Sequence, residues 1–388
     1  MSSKIALYSG VGEELTHYEV DAGCAALLKR GSVRLPANVQ YSWPHPSQPF
    51  LYVASSNRGA DEKADFNHLS ALRIDPASGA LTPHGEPRPM RYRAVHMTLD
   101  ASGGYAVIAH NEPPAVSAFR IASDGTVGAE VVQPQGLDYG IYPHQAMITP
   151  SNQNVILIAR GNSAKGTKPE DPGALKVFRF KDGLLANRTS IAPGGGYGFG
   201  PRHLDFHRSQ PWMYVSLERQ SKLSFFRMHD DQPAAEAAST LDLLADRAGV
   251  TPRQLSGAIR VHPDGRFVYV INRADLTVDF NGKPVFGGGE NSIVVYAIDQ
   301  HSGEPTFVQR IDTHLFHVRT FSIDPSARML VAASIKPMMV REGGEVSTVP
   351  AGMSVFRIGG DGRLEYVRKY DVETGGKLQF WMGMVGLQ

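Results

Sequence analysis

One cysteine in 388 residues, Cys24, rules out an internal disulfide and any multi-cysteine metal site. That fits a reducing compartment, and a lone small thiol is expected in the core. Net charge is nearly absent as well: 39 Lys and Arg face 38 Asp and Glu. No overall field therefore recommends nucleic acid or a membrane surface as a partner. No apolar run approaches the roughly 18 residues of a membrane-spanning helix. The start, MSSKIALYSGVGEELTHYEV, reaches acidic residues before any stretch long enough for a signal-peptide core. A soluble, cytoplasmic protein is the expectation. Also missing are a His and carboxylate set spaced for zinc, a calcium loop, and the elbow that surrounds a nucleophilic serine. Neither a metal nor a cofactor is expected.

What is abundant points to turns and strands. Forty Gly and 26 Pro accompany 42% hydrophobic residues, a balance that favours an all-β chain over long helices. One pattern recurs six times: a short strand, a turn rich in Pro, Ser, Asp or Gly, then a strand of Tyr, Val, Ile and Ala. It is clear in YSWPHPSQPFLYVASS from Tyr41, HQAMITPSNQNVILIAR from His144, RHLDFHRSQPWMYVSLE from Arg202 and AIRVHPDGRFVYVINR from Ala258. The period is about 56 residues, the size of a propeller blade. Alternating segments such as ALKVFRF and SIVVYAI follow each copy, so each unit supplies four strands.

The ends complete a seventh unit. ELTHYEV resembles a third strand with no inner hairpin before it, and KLQFWMG resembles an inner strand with nothing after it. The expectation is one seven-bladed β-propeller domain over 1–388, closed by both termini in a shared blade. Insertions from Asn162, Asp275 and Lys336 read as loops, and STLDLLADRAG from Ser239 as a short helix between blades.

The repeat register predicts which residues meet. The first strand runs away from the loop-bearing face and the second returns to it, so entry and exit positions are neighbours. Entry positions hold Gln40, Val95, His144, Arg202, Gly257 and Arg319; exit positions hold Ser56, Asn111, Arg160, Glu218, Arg273 and Ile335. A purely structural repeat would put small or apolar residues there. Instead one His, one Glu and four Arg share the twelve positions. Converging guanidiniums recognise carboxylate or phosphate, and His144 and Glu218 are the candidates for proton transfer. A structural Arg202–Glu218 salt bridge and a capping His144 are the plain alternatives. GGGYGFG from Gly194 lacks a following helix and reads as a flexible loop over the mouth rather than a phosphate cradle. His45, His207 and His262 and the GVTPR stretch from Gly249 read as turn chemistry.

The segment GPRHLDFHRSQPWMYVSLERQSKLSFF, with YVINR near Tyr269, resembles the seven-bladed propeller lactonases. That family includes propeller-type 6-phosphogluconolactonase and the fungal-type 3-carboxy-cis,cis-muconate lactonizing enzyme. The resemblance implies a catalytic His144 and Glu218, with Arg202 and Arg273 binding the anion. Arg160, Arg319, Asn111 and His203 are candidate substrate contacts around them. Hydrolysis of a small anionic sugar-acid lactone is the expected reaction. Muconate-type lactonization and a non-catalytic binding scaffold remain the alternatives.

Overall fold

The computed structural model describes residues 4–58, 65–246 and 253–387. The GVTPR stretch and the end of the Ser239 insertion therefore lie largely outside the described residues. Seven antiparallel sheets form the blades of a ring, six of them four-stranded and one, over 201–242, with a short fifth strand. The first blade joins Ile5–Val11, Glu14–Asp21 and Ala26–Arg34 to the carboxy-terminal Gln379–Gly386, which is its innermost strand. The amino terminus thus supplies the second strand as well as the third and fourth. ELTHYEV is the third strand, but IALYSGV precedes it as the second. Blades two to seven follow in chain order over 38–89, 96–130, 143–191, 201–242, 255–312 and 318–371. No helix among the described residues is long and apolar enough to cross a membrane.

The second strands explain why the ring holds. Phe50–Ser56, Asn154–Ala159, Trp212–Leu217 and Met329–Ser334 are buried along their whole length. Their pleat sends alternate side chains to the two neighbouring blades. Leu51 and Val53 pack with Ala6 and Tyr8 of the first blade, whereas Tyr52 and Ala54 pack with Met97 and Ile108 of the third. Seven apolar clusters result, each shared by two adjacent blades. The core is therefore a ring of interfaces, which leaves the axis free for polar side chains. A second tie recurs between blades. The hydroxyls of Tyr8, Tyr52, Tyr214 and Tyr269 donate to the carbonyls of Gly79, Gly125, Gly303 and Gly362 at 2.8–3.0 Å. Each of these glycines turns the chain with positive φ in the next blade, a conformation other residues adopt only with strain.

Several insertions are more ordered than loops. The Asp275 insertion forms a hairpin of Thr277–Phe280 with Lys283–Phe286, and the Lys336 insertion a hairpin of Met338–Glu342 with Glu345–Val349. They meet where the Arg341 guanidinium lies 4.0 Å from the Phe280 ring centre. The Ser239 segment is no helix: Ser239–Asp242 adds a strand beside Lys222–His229. Its side chains alternate between half-buried and exposed, a strand period that the leucines and alanines around it disguise. Cys24 is exposed rather than in the core, because it sits in the tight turn closed by its amide on Asp21 Oδ1. His45 and His207 cap turns, each Nδ1 accepting two backbone amides. His262 Nε2 reaches the Ala327 carbonyl of the next blade at 3.1 Å.

Closure by the carboxy-terminal strand gives a graded expectation. Met382, buried between the last and first blades with Leu7 and Val331, should cost about 2–5 kcal/mol as Met382→Ala. Tyr269→Phe, which removes one inter-blade hydrogen bond, should cost about 0.5–1.5 kcal/mol. Urea unfolding of both variants checks the order.

Candidate active site

The innermost strands carry an irregularity at the mouth. In the pairing of first with second strand, one extra residue stands between Pro143 and Gln145, between Pro201 and His203, and between Val318 and Thr320. These bulge residues are His144, Arg202 and Arg319. Gln40 occupies the same place in the second blade and Phe380 in the first. In the sixth, Gly257 and Ala258 together oppose Ile271. A bulge bends the strand and breaks the alternation of its side chains. A residue that a regular pleat would commit to one blade interface is thereby released towards the channel.

Glu218, at the end of its blade's second strand, is the centre of what gathers there. Its Oε1 accepts from Arg273 Nη2 at 2.7 Å, and its Oε2 accepts from Arg160 Nη1 at 2.9 Å. Arg202 Nε lies 2.8 Å from Oε1, an ion pair whose angle falls outside hydrogen-bond geometry. Three blades thus meet on one carboxylate. Burial alone would raise the Glu218 carboxyl, but Arg202, Arg273 and Arg160 outweigh it and hold it at about 2. Arg202 is buried almost completely. Burial, then the neighbouring Arg273, pulls it down to about 9, and it stays cationic at neutral pH. Arg160 is half-buried with its guanidinium 4.1 Å from the Tyr142 ring centre, which fixes its fork.

His144 stands beside this cluster, at the bulge equivalent to that of Arg202. Burial, then the fields of Arg202, Arg160, Arg319 and Arg273, hold its imidazole well below the usual histidine range. It is neutral at physiological pH, and its Nδ1 has no hydrogen-bond partner among the described residues. His203 packs beneath it at 5.0 Å between ring centres and approaches Arg202 Nη1 at 3.2 Å. His96 and Gln145 continue this polar stack down the channel. Of the sequence-derived candidates, His144, Arg160, Arg202, His203, Glu218 and Arg273 form one contact network. Arg319 stands beside it through its field on His144. Asn111 is buried at its strand end, with no hydrogen bond or ion pair to the cluster among the described residues.

Four neighbours lie outside the register positions. His317, two residues before Arg319, meets Arg273 Nη1 through Nε2 at 3.4 Å and Asp275 Oδ2 at 3.6 Å. Asp275 is tied to Arg253 Nη2 at 2.6 Å. Arg93, two residues before Val95, donates from Nε to Gln40 Oε1 at 2.7 Å. Phe380 lacks a repeat anchor because its blade is divided between the termini. The glycine run that precedes Arg202 is pinned rather than loose. Gly173 N donates to the Gly196 carbonyl at 2.9 Å, and Glu218 N to the Gly200 carbonyl at 2.9 Å. Among the described residues, no cluster of three or more His, Cys, Asp or Glu could hold a metal ion.

Seven blades, several of which deliver ionisable side chains from separate sheets to one mouth, define the class: a closed β-propeller with its candidate site at the channel entrance. The chain belongs to the family described as Lactonase, 7-bladed beta-propeller, whose model matches residues 4–337. It is 25% identical over 362 residues to a Bacillus subtilis 6-phosphogluconolactonase, covering 89% of this chain and 93% of that protein. A 6-phosphogluconolactonase of Yersinia pestis is 25% identical over 391 residues, covering 100% of this chain and 99% of the relative. The solved Pseudomonas aeruginosa periplasmic gluconolactonase superposes with a TM-score of 0.72 at 20% identity, over 100% of both chains. At that identity the likeness speaks for the fold.

Removing the central carboxylate leaves three cations facing one another. Glu218→Gln should therefore destabilise the protein by about 3–5 kcal/mol. The wild-type contribution is present in full above the ordinary glutamate value and is lost as the pH falls from there through about 2. Unfolding of wild type and variant at neutral pH and at pH 3 checks this: the difference between them should narrow in acid.

Proposed function

We propose that this chain hydrolyses the lactone of a small anionic sugar acid, with 6-phosphogluconolactone as the lead substrate. The observation that carries the reading is the place of His144, whose Nδ1 has no partner among the described residues, next to His203 and in the field of guanidiniums held by Glu218. The names of the relatives supply the substrate class. They favour hydrolysis over lactone formation, and a proton-transfer group among cations suits an enzyme better than a binding scaffold.

In the reaction, neutral His144 takes a proton from water as the oxygen attacks the lactone carbonyl carbon. Arg202 and Arg273 donate to the oxyanion of the tetrahedral intermediate. The intermediate collapses with cleavage of the bond from the carbonyl carbon to the ring oxygen. The proton on His144 passes to that leaving oxygen, which gives the open-chain hydroxy acid. Glu218, with both oxygens engaged by arginines, is too weak a base for the task. Its proposed role is to aim Arg202 and Arg273. Arg160 and Arg319 contact the substrate from the two sides of the mouth, His203 supports His144 from below, and Asn111 borders the mouth. The substrate's negative charge offsets the field of these arginines, so His144 becomes a better base once the ligand is bound.

Two measurements test the reading. His144→Ala should lower kcat on 6-phosphogluconolactone by about 10²–10⁴-fold with the fold intact; undiminished turnover in both His144→Ala and Glu218→Gln would sink the assignment. Because His144 must be neutral to act and its value is depressed, the acid limb of kcat/KM should fall below pH 6.5. Arg319→Ala removes one of the depressing cations and should move that limb towards higher pH.

A further inference from the structure

The cations at the mouth outnumber the carboxylates that engage them. Arg160, Arg202 and Arg273 share Glu218. Among the described residues, Arg93 and Arg319 pair with no carboxylate. Both lie against one aromatic ring: the Phe380 centre is 3.7 Å from the Arg319 guanidinium and 5.5 Å from that of Arg93. Stacking on a ring orients a guanidinium while leaving its N–H fork unspent. Among the described residues, only the Nε of Arg93 is engaged, by Gln40. Beside this pair opens a cavity of about 560 Å³ on the same face, lined among others by Arg34, Arg58, Arg93, Lys377 and Phe380. Among the described residues, Glu13 is the one carboxylate in that lining, and Arg34 and Lys377 already share it. The volume is that of a small-molecule site.

We propose that Arg93, Phe380 and Arg319 form a second anion subsite, which takes a terminal phosphate or carboxylate of the ligand remote from the reacting carbonyl. The proposal rests on the lactonase reading for the identity of the ligand, and on the geometry for its place. The mouth divides by blade. The fourth, fifth and sixth blades supply the Glu218 cluster, and the seventh, first, second and third supply Arg319, Phe380, Gln40 and Arg93. A ligand with one anionic group fills one half. A ligand with an acidic group at each end spans both, so the subsite selects doubly anionic over singly anionic sugar acids.

Titration calorimetry with 6-phosphogluconate, glucarate and gluconate reads this without turnover. Wild type should bind 6-phosphogluconate at least tenfold more tightly than gluconate at low ionic strength. Arg93→Ala should cut that ratio at least tenfold, and Arg93→Lys, which keeps charge but not the fork, should restore part of it. Glucarate binding that depends equally on Arg93 supports the subsite and adds a carboxylate as occupant; dependence for 6-phosphogluconate alone supports it and restricts it to phosphate. A preference ratio that Arg93→Ala and Arg93→Gln leave as in wild type overturns the proposal. In turnover, the ratio of kcat/KM for 6-phosphogluconolactone to that for gluconolactone should fall in parallel. Arg93-dependent discrimination in a wild-type protein that opens neither lactone would overturn the lactonase reading and leave the subsite standing.

Discussion

What the innermost strands bring to the mouth depends on one extra residue in each of five of them. A regular pleat sends each side chain of a blade to the interface on its left or right, and those interfaces are filled by the seven apolar clusters. A charged group committed there would be buried without a partner, at a cost the fold could not bear. The bulges at Gln40, His144, Arg202, Arg319 and Phe380 take one residue per blade out of that alternation. The same device serves both halves of the mouth, so chemistry can vary at these positions while the interfaces that stabilise the ring stay apolar.

The second constraint is electrostatic. Desolvating Arg202 completely is costly, and Glu218 repays it only because three guanidiniums converge on its two oxygens. Such a cluster resists rearrangement: its three arginines are held from three different blades, and no member leaves without exposing the others' charges. That rigidity suits a site that must present N–H groups to an oxyanion, since donors already in place need no reorganisation as charge develops. It also separates two roles. The carboxylate organises the arginines, and the neutral imidazole beside them is left to handle the proton.

Much of this was legible in the sequence, and the limits of legibility have physical causes. The six turn anchors gave the blade period, and the entry and exit positions drawn from them put His144, Arg202, Glu218, Arg273 and Arg160 at one mouth, where the structure also places them. Phe380 escaped because its blade draws inner strand and hairpin from opposite ends of the chain, which leaves no turn to anchor it. Arg93 and His317 lie just outside the strands they precede, three residues before His96 and one before Val318, in connections whose path no periodicity encodes. Asp275 is drawn in by its ion pair with Arg253, a tertiary pairing without sequence spacing. The strand at Ser239 and the exposed Cys24 were misread for related reasons: a short edge strand has little pattern of its own, and a thiol in a turn follows the turn rather than its hydrophobicity.

A crystal structure of the protein with 6-phosphogluconate would test the central claim most directly. The account predicts the new carboxylate at Arg202 and Arg273, within reach of His144, and the phosphate on Arg93 and Arg319 beside Phe380. A ligand bound away from the mouth, or one seated there with its carboxylate turned from Arg202 and Arg273, would contradict it.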